Sequence, residues 1–226
     1  ADDAPVSSIT LYTNTRSAPY FVTPVKIATA SDNAGLFTQV YTDDFAVGDI
    51  DQDGDNDVVV GTLQQNMILV NNGTATPFSD AKQIIFSDDD GTTSLKLADI
   101  DNDGDLDLVV GNGVRVSPIE VRNFLYTNDG SSNLAAGINP FTTQTLIGAV
   151  DLQTMDVEVT DLNRDGLLDV LVANSNNFGS GEFNQVFFND GVGDPFDTIA
   201  PLKLSNDNLP TTDMAVGDID RDGNMD

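Results

Sequence analysis

The sequence predicts an all-β fold, a β-propeller built from four-stranded blades. Three observations support this. An acidic nine-residue motif recurs four times, with starts 50, 62 and 57 residues apart. Short apolar runs flank each copy, and no segment between copies has the 3.6-residue period of an amphipathic helix. Four short antiparallel strands in a repeat of this length are typical of a propeller blade.

The four acidic segments follow the pattern DxDxDGxxD or a close variant of it. They are DIDQDGDND at 49–57, DIDNDGDLD at 99–107, DLNRDGLLD at 161–169 and DIDRDGNMD at 218–226. These segments hold 17 of the 37 acidic residues of a chain whose formal net charge is −28. A generally acidic, solvated surface does not explain charge that is clustered in this way, so the segments need an explanation of their own.

The four strands of each unit can be assigned in order. The first is the run before the motif (FAVG, LKLA, VEVT, MAVG), and the second is the run after it (VVVG, LVVG, VLVA). The third ends in a hairpin signal, as in ILVNNG at 68–73, FLYTNDG at 124–130 and VFFNDG at 186–191. The fourth is expected around 82–86, 145–147 and 201–204. The second strands are apolar on both faces, which predicts that a neighbouring blade covers each face.

The spacing of these strands predicts a single propeller region over residues 1–226. Its repeats are expected at about 1–40, 41–92, 93–152, 153–207 and 208–226, with partial blades at both ends. ITLYTN at 9–14 matches a third-strand segment, so the chain is expected to begin within a blade, and it stops on the last residue of the fourth motif. We therefore expect a partial or truncated ring, cut from a propeller of about seven blades. A four-bladed ring that lacks one strand is the alternative.

The composition limits the possible chemistry. Cysteine and histidine are both absent, which excludes disulfides, thiolate or imidazole metal sites, and a Ser-His-Asp arrangement. The strong negative charge argues against nucleic acid and anionic membranes as direct partners. No apolar run has the length of a membrane span. The start, ADDAPV, resembles a mature N-terminus left after cleavage at small residues, which indicates export.

The acidic segments are predicted to bind Ca²⁺, at about four sites with one per loop. Crowded carboxylates resist ionisation unless a cation lies among them, and Ca²⁺ accepts six to eight oxygen ligands in a flexible shell. Positions 1, 3, 5 and 9 offer side-chain oxygens, position 7 offers its backbone carbonyl, and glycine at position 6 permits a sharp turn. An EF-hand is excluded, because position 12 is a valine within a strand in the first three loops. Mg²⁺ is less suitable, because it prefers rigid shells rich in water. The predicted metal residues are Asp49, Asp51, Asp53, Asp55, Asp57, Asp99, Asp101, Asp103, Asp105, Asp107, Asp161, Asn163, Asp165, Leu167, Asp169, Asp218, Asp220, Asp222, Asn224 and Asp226.

The pattern resembles the FG-GAP and VCBS repeats of integrin alpha-subunit propellers, fungal propeller lectins and secreted bacterial proteins. The residues that carry the resemblance are 46–61, 97–111, 159–173 and 215–226, which lie at blade spacing over nearly the whole chain. The resemblance implies that the metal loops lie on the face opposite the usual ligand surface. The third loop departs most from the pattern, since Asn163 stands at position 3, and it is expected to bind more weakly.

Candidate ligand residues lie in the loops of that opposite face. A polar residue stands five positions before each metal loop, at Asp44, Ser94, Asp156 and Asp213. These residues either cap strand ends or form a ring at the mouth of the central channel that binds a sugar hydroxyl or a cation. Arg115, Arg122 and Phe178 are further candidates for ligand contact, with packing or ordinary surface as the alternative.

Three functions are compatible with this sequence. The first is a secreted or cell-surface adhesion module that binds protein or glycan without catalysis. The second is a calcium-dependent lectin, which the absence of tryptophan and the presence of only four tyrosines disfavour, because sugars stack on such rings. The third is a polysaccharide lyase, which ranks last because basic residues are few, histidine is absent and the field is strongly negative.

Overall fold

The described part of the chain is all-β. A computed structural model describes residues 8–11, 25–29, 42–63, 65–74, 77–78, 83–86, 91–113, 121–130, 134–148, 153–175, 183–197, 200–204 and 209–226. These ranges contain fourteen strands and one 3₁₀ turn at Leu134–Ala136. None of them holds a helix with the length and apolar character needed to cross a bilayer. The prediction of an all-β chain is confirmed.

Twelve of the strands form three four-stranded antiparallel sheets, here called blades 1, 2 and 3, in which neighbours follow chain order. The strands β1 (Ser8–Leu11) and β2 (Val25–Thr29) pair separately as a two-stranded sheet. Blade 1 contains β3 (Thr42–Gly48), β4 (Asp57–Thr62), β5 (Asn66–Leu69) and β6 (Gln83–Phe86). Blade 2 contains β7 (Thr92–Ala98), β8 (Asp107–Asn112), β9 (Asn123–Asn128) and β10 (Phe141–Ile147). Blade 3 contains β11 (Thr154–Thr160), β12 (Asp169–Asn174), β13 (Gln185–Phe187) and β14 (Leu202–Lys203).

One predicted strand is absent. Residues 214–217 were expected to form the first strand of a fourth blade, but no strand is assigned there. In blades 1 to 3 this segment pairs with the strand that follows the acidic loop. Among the described residues, the backbone of 214–217 pairs with other backbone groups only through the two hydrogen bonds between Gly217 and Asp226, at 3.0 and 3.3 Å. A single pair of this kind closes the loop without forming a ladder.

The core lies between consecutive blades, and the second strands explain why. Side chains alternate faces along a strand. In β8, Leu108 and Val110 pack into a cluster with Val59 and Ile68 of blade 1, whereas Val109 packs into a second cluster with blade 3. Both faces of β8 are buried at every residue. The prediction of strands covered on both faces is therefore confirmed, and the sheets stack as propeller blades do.

Close approach of the blades depends on glycine, and Gly111 on β8 provides a test. A Cβ atom at this position would lie 2.8 Å from Val157 Cγ1 and 2.9 Å from Thr154 Cγ2, both on the next blade. We expect Gly111→Ala to destabilise the protein by about 1–3 kcal/mol, because the interface must open to admit the methyl group. Urea denaturation checks this. Gly217→Ala is the matched control, since a Cβ there meets no described atom within 4 Å, and an equal effect of the two substitutions would contradict the packing argument.

Candidate metal centres

The acidic segments are the loops that join the first and second strands of each blade. The loop at 49–57 joins β3 to β4, the loop at 99–107 joins β7 to β8, and the loop at 161–169 joins β11 to β12. The strands on either side of each loop pair directly, so every loop is the end of a hairpin. We call these loops 1, 2 and 3, and the segment at 218–226 loop 4. Loops 1, 2 and 3 therefore each begin and end on a pair of hydrogen-bonded strands.

Two positive-φ residues shape each loop. Glycine at position 6 has a φ between 86 and 98°, as the sequence predicted. Position 4 also has a positive φ, between 58 and 65°, which sequence reasoning missed. The residues there are Gln52, Asn102, Arg164 and Arg221. Only asparagine among them favours this region, so residue type carried almost no signal.

The carboxylate at position 1 of every loop accepts a hydrogen bond from the backbone of the turn. Its Oδ2 accepts a hydrogen bond from the position-6 glycine N–H at 2.9–3.1 Å in all four loops. The position-5 carboxylate accepts one from the N–H of position 7 at 2.7–2.9 Å. The loop backbone therefore wraps around these two carboxylates.

Three of the loops gather carboxylate oxygens closely enough to share one cation. In each group three residues place one oxygen apiece within 4.8 Å of the others. The groups are Asp49, Asp51 and Asp53 in loop 1, Asp99, Asp101 and Asp107 in loop 2, and Asp218, Asp220 and Asp226 in loop 4. Positions 1 and 3 contribute every time and position 5 or 9 contributes the third oxygen, so each group contains three of the four predicted side-chain positions.

The ninth residue of loops 1, 2 and 3 is a buried aspartate whose carboxylate accepts hydrogen bonds from backbone N–H groups. Asp107 Oδ1 accepts from Asn128 N and its Oδ2 from Ile100 N, both at 2.9 Å. Asp169 makes the same two contacts in loop 3. Desolvation raises the pKa of Asp57 and of Asp107 to about 6, although backbone N–H donors oppose it. Ionising these carboxylates is therefore costly until a positive charge lies beside them.

The residues present fit a hard divalent cation. Desolvation, followed by repulsion from Asp103, raises the pKa of Asp101 in loop 2. Asp99 Oδ1 in the same loop is buried without a hydrogen-bond donor. A cation would give this oxygen a partner, and an all-oxygen set of this kind suits Ca²⁺.

Loop 3 is built differently. Asn163 Nδ2 donates to Asp165 Oδ2 at 2.9 Å, so an amide at position 3 satisfies the neighbouring carboxylate. Leu167 stands at position 7, where loops 1 and 2 have aspartate. Loop 3 therefore has less negative charge to offer a cation.

The polar residues five positions before the loops link neighbouring blades. Asp44 Oδ2 accepts from Leu95 N of blade 2 at 2.8 Å. Ser94 Oγ donates to Asp156 Oδ1 at 2.9 Å, and Asp156 Oδ2 accepts from Met214 N at 3.0 Å. Asp213 is exposed. Asp44 and Ser94 therefore tie the first strands of consecutive blades together, and Asp156 ties blade 3 to the segment before loop 4. Each of the three lies at an irregularity in the strand register.

Two further sets of asparagines join the blades, and sequence reasoning missed both. Asn66, Asn123 and Asn184 precede or begin the third strands, and each donates to a threonine hydroxyl of the next segment at 2.7–2.8 Å. Asn128 and Asn189, at and just after the ends of the third strands, donate to carbonyls of the acidic loop of the preceding blade. These asparagines recur at fixed places in each repeat, and this recurrence is the sequence signal that could have revealed them.

The other predicted ligand residues are less informative. Arg115 and Phe178 lie outside the described residues. Arg122 is half-buried, and its guanidinium carbon lies 5.4 Å from the centroid of the Phe124 ring. The side chain of Arg122 therefore packs along β9 of its own blade.

A comparison with known protein families matches two segments of the chain. Residues 49–110 and 161–226, more than half of the chain, match a family described as FG-GAP-like repeat. Both matched segments begin at the first residue of an acidic loop. A comparison with curated proteins found no significant match.

Proposed function

The chain belongs to the family of FG-GAP-like repeats, and from this we propose that it is a calcium-stabilised propeller module of an extracellular protein, which recognises a protein or a glycan and catalyses no reaction. One observation carries the proposal. Loops 1, 2 and 4 each bring three carboxylate oxygens within 4.8 Å of one another, from positions 1 and 3 and from either position 5 or position 9. Repeats of this family are commonly used in recognition and adhesion.

The role proposed for Ca²⁺ is structural. Positions 1, 3, 5 and 9 of each loop would hold the ion, which supplies the positive charge that the crowded carboxylates lack. The same carboxylates accept hydrogen bonds from their own loop backbone. Holding them ionised therefore fixes the hairpin between the first two strands of the blade, and this role needs no substrate.

Recognition is proposed for the end of the blades away from the acidic loops. In an antiparallel blade, the loop after the first strand and the turn after the third lie at one end. A Cβ built on Gly130, in the turn after β9, would meet the Asp105 carboxylate of loop 2, which places the two elements together. The links after the second and fourth strands lie at the other end, and they are the segments that differ most between repeats.

An extracellular location follows from the type of site. These loops lack the bidentate glutamate at position 12 that completes an EF-hand. Extracellular calcium modules have dissociation constants of about 10⁻⁴–10⁻³ M, so they fill outside cells and stay empty in cytosol. Isothermal titration of metal-free protein tests the metal part of the proposal. We expect saturable Ca²⁺ binding in this range, and an absence of binding at millimolar Ca²⁺ would contradict it.

Recognition is tested separately. Calcium-loaded protein is applied to a glycan array and to intact cells. Binding to cells or to a purified protein with an empty array supports adhesion through protein, whereas calcium-dependent binding to defined glycans supports a lectin. Incubation with uronate polymers tests the lyase alternative, and new absorbance from unsaturated products would overturn the non-catalytic proposal.

Loop 3 offers a gain-of-function prediction. We expect Asn163→Asp to tighten Ca²⁺ binding at loop 3 by about tenfold or more. The substitution adds a unit charge beside a divalent ion, and it removes the amide that donates a hydrogen bond to Asp165. Titration calorimetry measures it. Asn224→Asp at position 7 of loop 4 is the control, because only a backbone carbonyl is needed there. A tenfold gain in the control, or none at loop 3, would contradict the assignment of positions.

A further inference from the structure

Consecutive acidic loops are joined by a buried asparagine. Asn128 is the last residue of β9, the third strand of blade 2, and its Nδ2 donates to Ile50 O of loop 1 at 3.0 Å and to Leu106 O of loop 2 at 3.3 Å. Its backbone N–H donates to Asp107 Oδ1, a carboxylate of loop 2, at 2.9 Å. Asn128 and Ile50 are at most 1 % exposed. One residue therefore contacts both loops away from water.

The same connection recurs one blade further on. Asn189 Nδ2 donates to Ile100 O of loop 2 at 2.9 Å and to Leu168 O of loop 3 at 3.2 Å. Its N–H donates to Asp169 Oδ1 at 3.0 Å. The N–H of Ile100 in turn donates to Asp107 Oδ2 at 2.9 Å. An unbroken path of buried hydrogen bonds thus runs from Asp107 through Ile100 and Asn189 to Asp169.

A second, exposed link joins the same loops. Gln52, at the positive-φ position 4 of loop 1, donates through Nε2 to Gly104 O and to Asp105 Oδ1 of loop 2, at 2.9 and 2.6 Å. Asn102 occupies that position in loop 2 and donates to Gly166 O of loop 3 at 3.4 Å. The unusual backbone at position 4 thus directs its side chain toward the next loop.

We propose that the metal sites of neighbouring blades bind Ca²⁺ with positive coupling, and that Asn128 and Asn189 are the positioning residues that transmit it. The inference rests on the proposed calcium function. Ile50 lies between Asp49 and Asp51, so an ion at loop 1 orders the peptide whose carbonyl holds Asn128. Asn128 then already holds the Asp107 carboxylate, and loop 2 loses less conformational freedom when its own ion binds. In a repeat protein such coupling acts mainly between nearest neighbours.

Nuclear magnetic resonance of the full chain can read each site separately. The N–H groups of Gly54 and Gly104 donate to the first carboxylate of their own loops, so each amide signal reports one site. Site 1 is disabled by Asp53→Ala, and Ca²⁺ is titrated while the Gly104 signal is followed. We expect the midpoint at Gly104 to rise at least about fivefold, the lower end of typical coupling between sites.

The asparagine is tested by repeating this comparison in two backgrounds. In Asn128→Ala we expect Asp53→Ala to move the Gly104 midpoint by less than about twofold. Asn71→Ala is the matched control. Asn71 occupies the same turn in blade 1 and donates to Asn56 O of its own blade, with no bond to another loop among the described residues, so the shift at Gly104 should persist.

The outcomes separate the two proposals. If no loop glycine responds to Ca²⁺, the calcium function itself is overturned. If the glycines respond but the Gly104 midpoint ignores Asp53→Ala, the coupling is overturned. If the shift survives Asn128→Ala, transmission through Asn128 is overturned. Should Asn128→Ala fail to fold, Asn189→Ala tests the same relay between loops 2 and 3. Reciprocity is a further requirement, since disabling site 2 with Asp103→Ala must move the Gly54 midpoint by the same factor.

Discussion

Chelation of Ca²⁺ is expected to lower the melting temperature of the intact chain by about 10 °C or more. A ligand present at 100 times its dissociation constant stabilises the folded state by about 2.7 kcal/mol per site. Loops 1 and 2 have aspartate at all four side-chain positions and lie within complete blades, so these two sites alone provide about 5 kcal/mol. For a chain of this size, each kcal/mol shifts the midpoint by about 2–4 °C.

The measurement is a thermal scan by circular dichroism in millimolar Ca²⁺ and in excess EDTA. Ionic strength has to be matched, because a net charge of −28 makes this chain sensitive to simple screening. Restoring Ca²⁺ should restore the midpoint, and Mg²⁺ at the same concentration should restore it only in part. A protein shown to be free of metal whose melting temperature equals that of the calcium form would rule out a stabilising role for the loops.

Much of the fold could be predicted from the sequence because two signals, the acidic motif and the hairpin turn, recur together in each repeat. The acidic motif marks the turn between the first and second strands of each blade. The Asn-Gly or Asn-Asp-Gly signals mark the turn between the third and fourth strands. Apolar residues on both faces of 108–110 then required neighbours on both sides, which the two cores of blade 2 provide. The predicted strand at 214–217 was wrong for the complementary reason. An apolar run becomes a strand only where a partner pairs with it, and local pattern does not reveal that.

The acidic loops were predictable as a set of oxygens, but their connections were not. The motif gave the side-chain positions that the structure brings together, since the spacing of aspartates around a fixed glycine restricts the turn. The bonds from Asn128 to Ile50 and from Gln52 to Gly104 cross 78 and 52 residues of sequence. Their geometry depends on the stacking of one blade on the next, and a single repeat contains no information about it.

Stacking also explains why the polar ring at Asp44, Ser94 and Asp156 is ambiguous in sequence. A carboxylate at a strand end looks the same whether it faces a channel or the next strand. In the structure, each residue lies beside a register irregularity. The side chains of Asp44 and Ser94 contact the first strand of the next blade, and that of Asp156 contacts the segment before loop 4. One oxygen of Asp44 and one of Asp156 thus accept hydrogen bonds from Leu95 N and Met214 N.

The largest effect of a single substitution is expected at Asp107. Its carboxylate accepts from two buried N–H groups, those of Ile100 and Asn128, and it belongs to the oxygen group of loop 2. Asp107→Ala leaves both donors without a partner, at a cost of about 1–3 kcal/mol each. Removing a carboxylate whose pKa burial raises to about 6 recovers part of this. We expect a net loss of about 2–4 kcal/mol in EDTA, measured by urea denaturation at pH 7.

Asp103→Ala separates the metal contribution from this structural one. Asp103 is exposed, and its carboxylate accepts a hydrogen bond from Asp105 N at the surface, so its loss costs less than about 1 kcal/mol in EDTA. In saturating Ca²⁺ both variants lose the stabilisation from site 2, about 2.7 kcal/mol at 100 times the dissociation constant. Asp107→Ala therefore weakens the protein with or without calcium, whereas Asp103→Ala does so mainly with it. Equal losses for the two variants in EDTA would show that the buried ninth carboxylate does not hold the two strands of the hairpin as proposed.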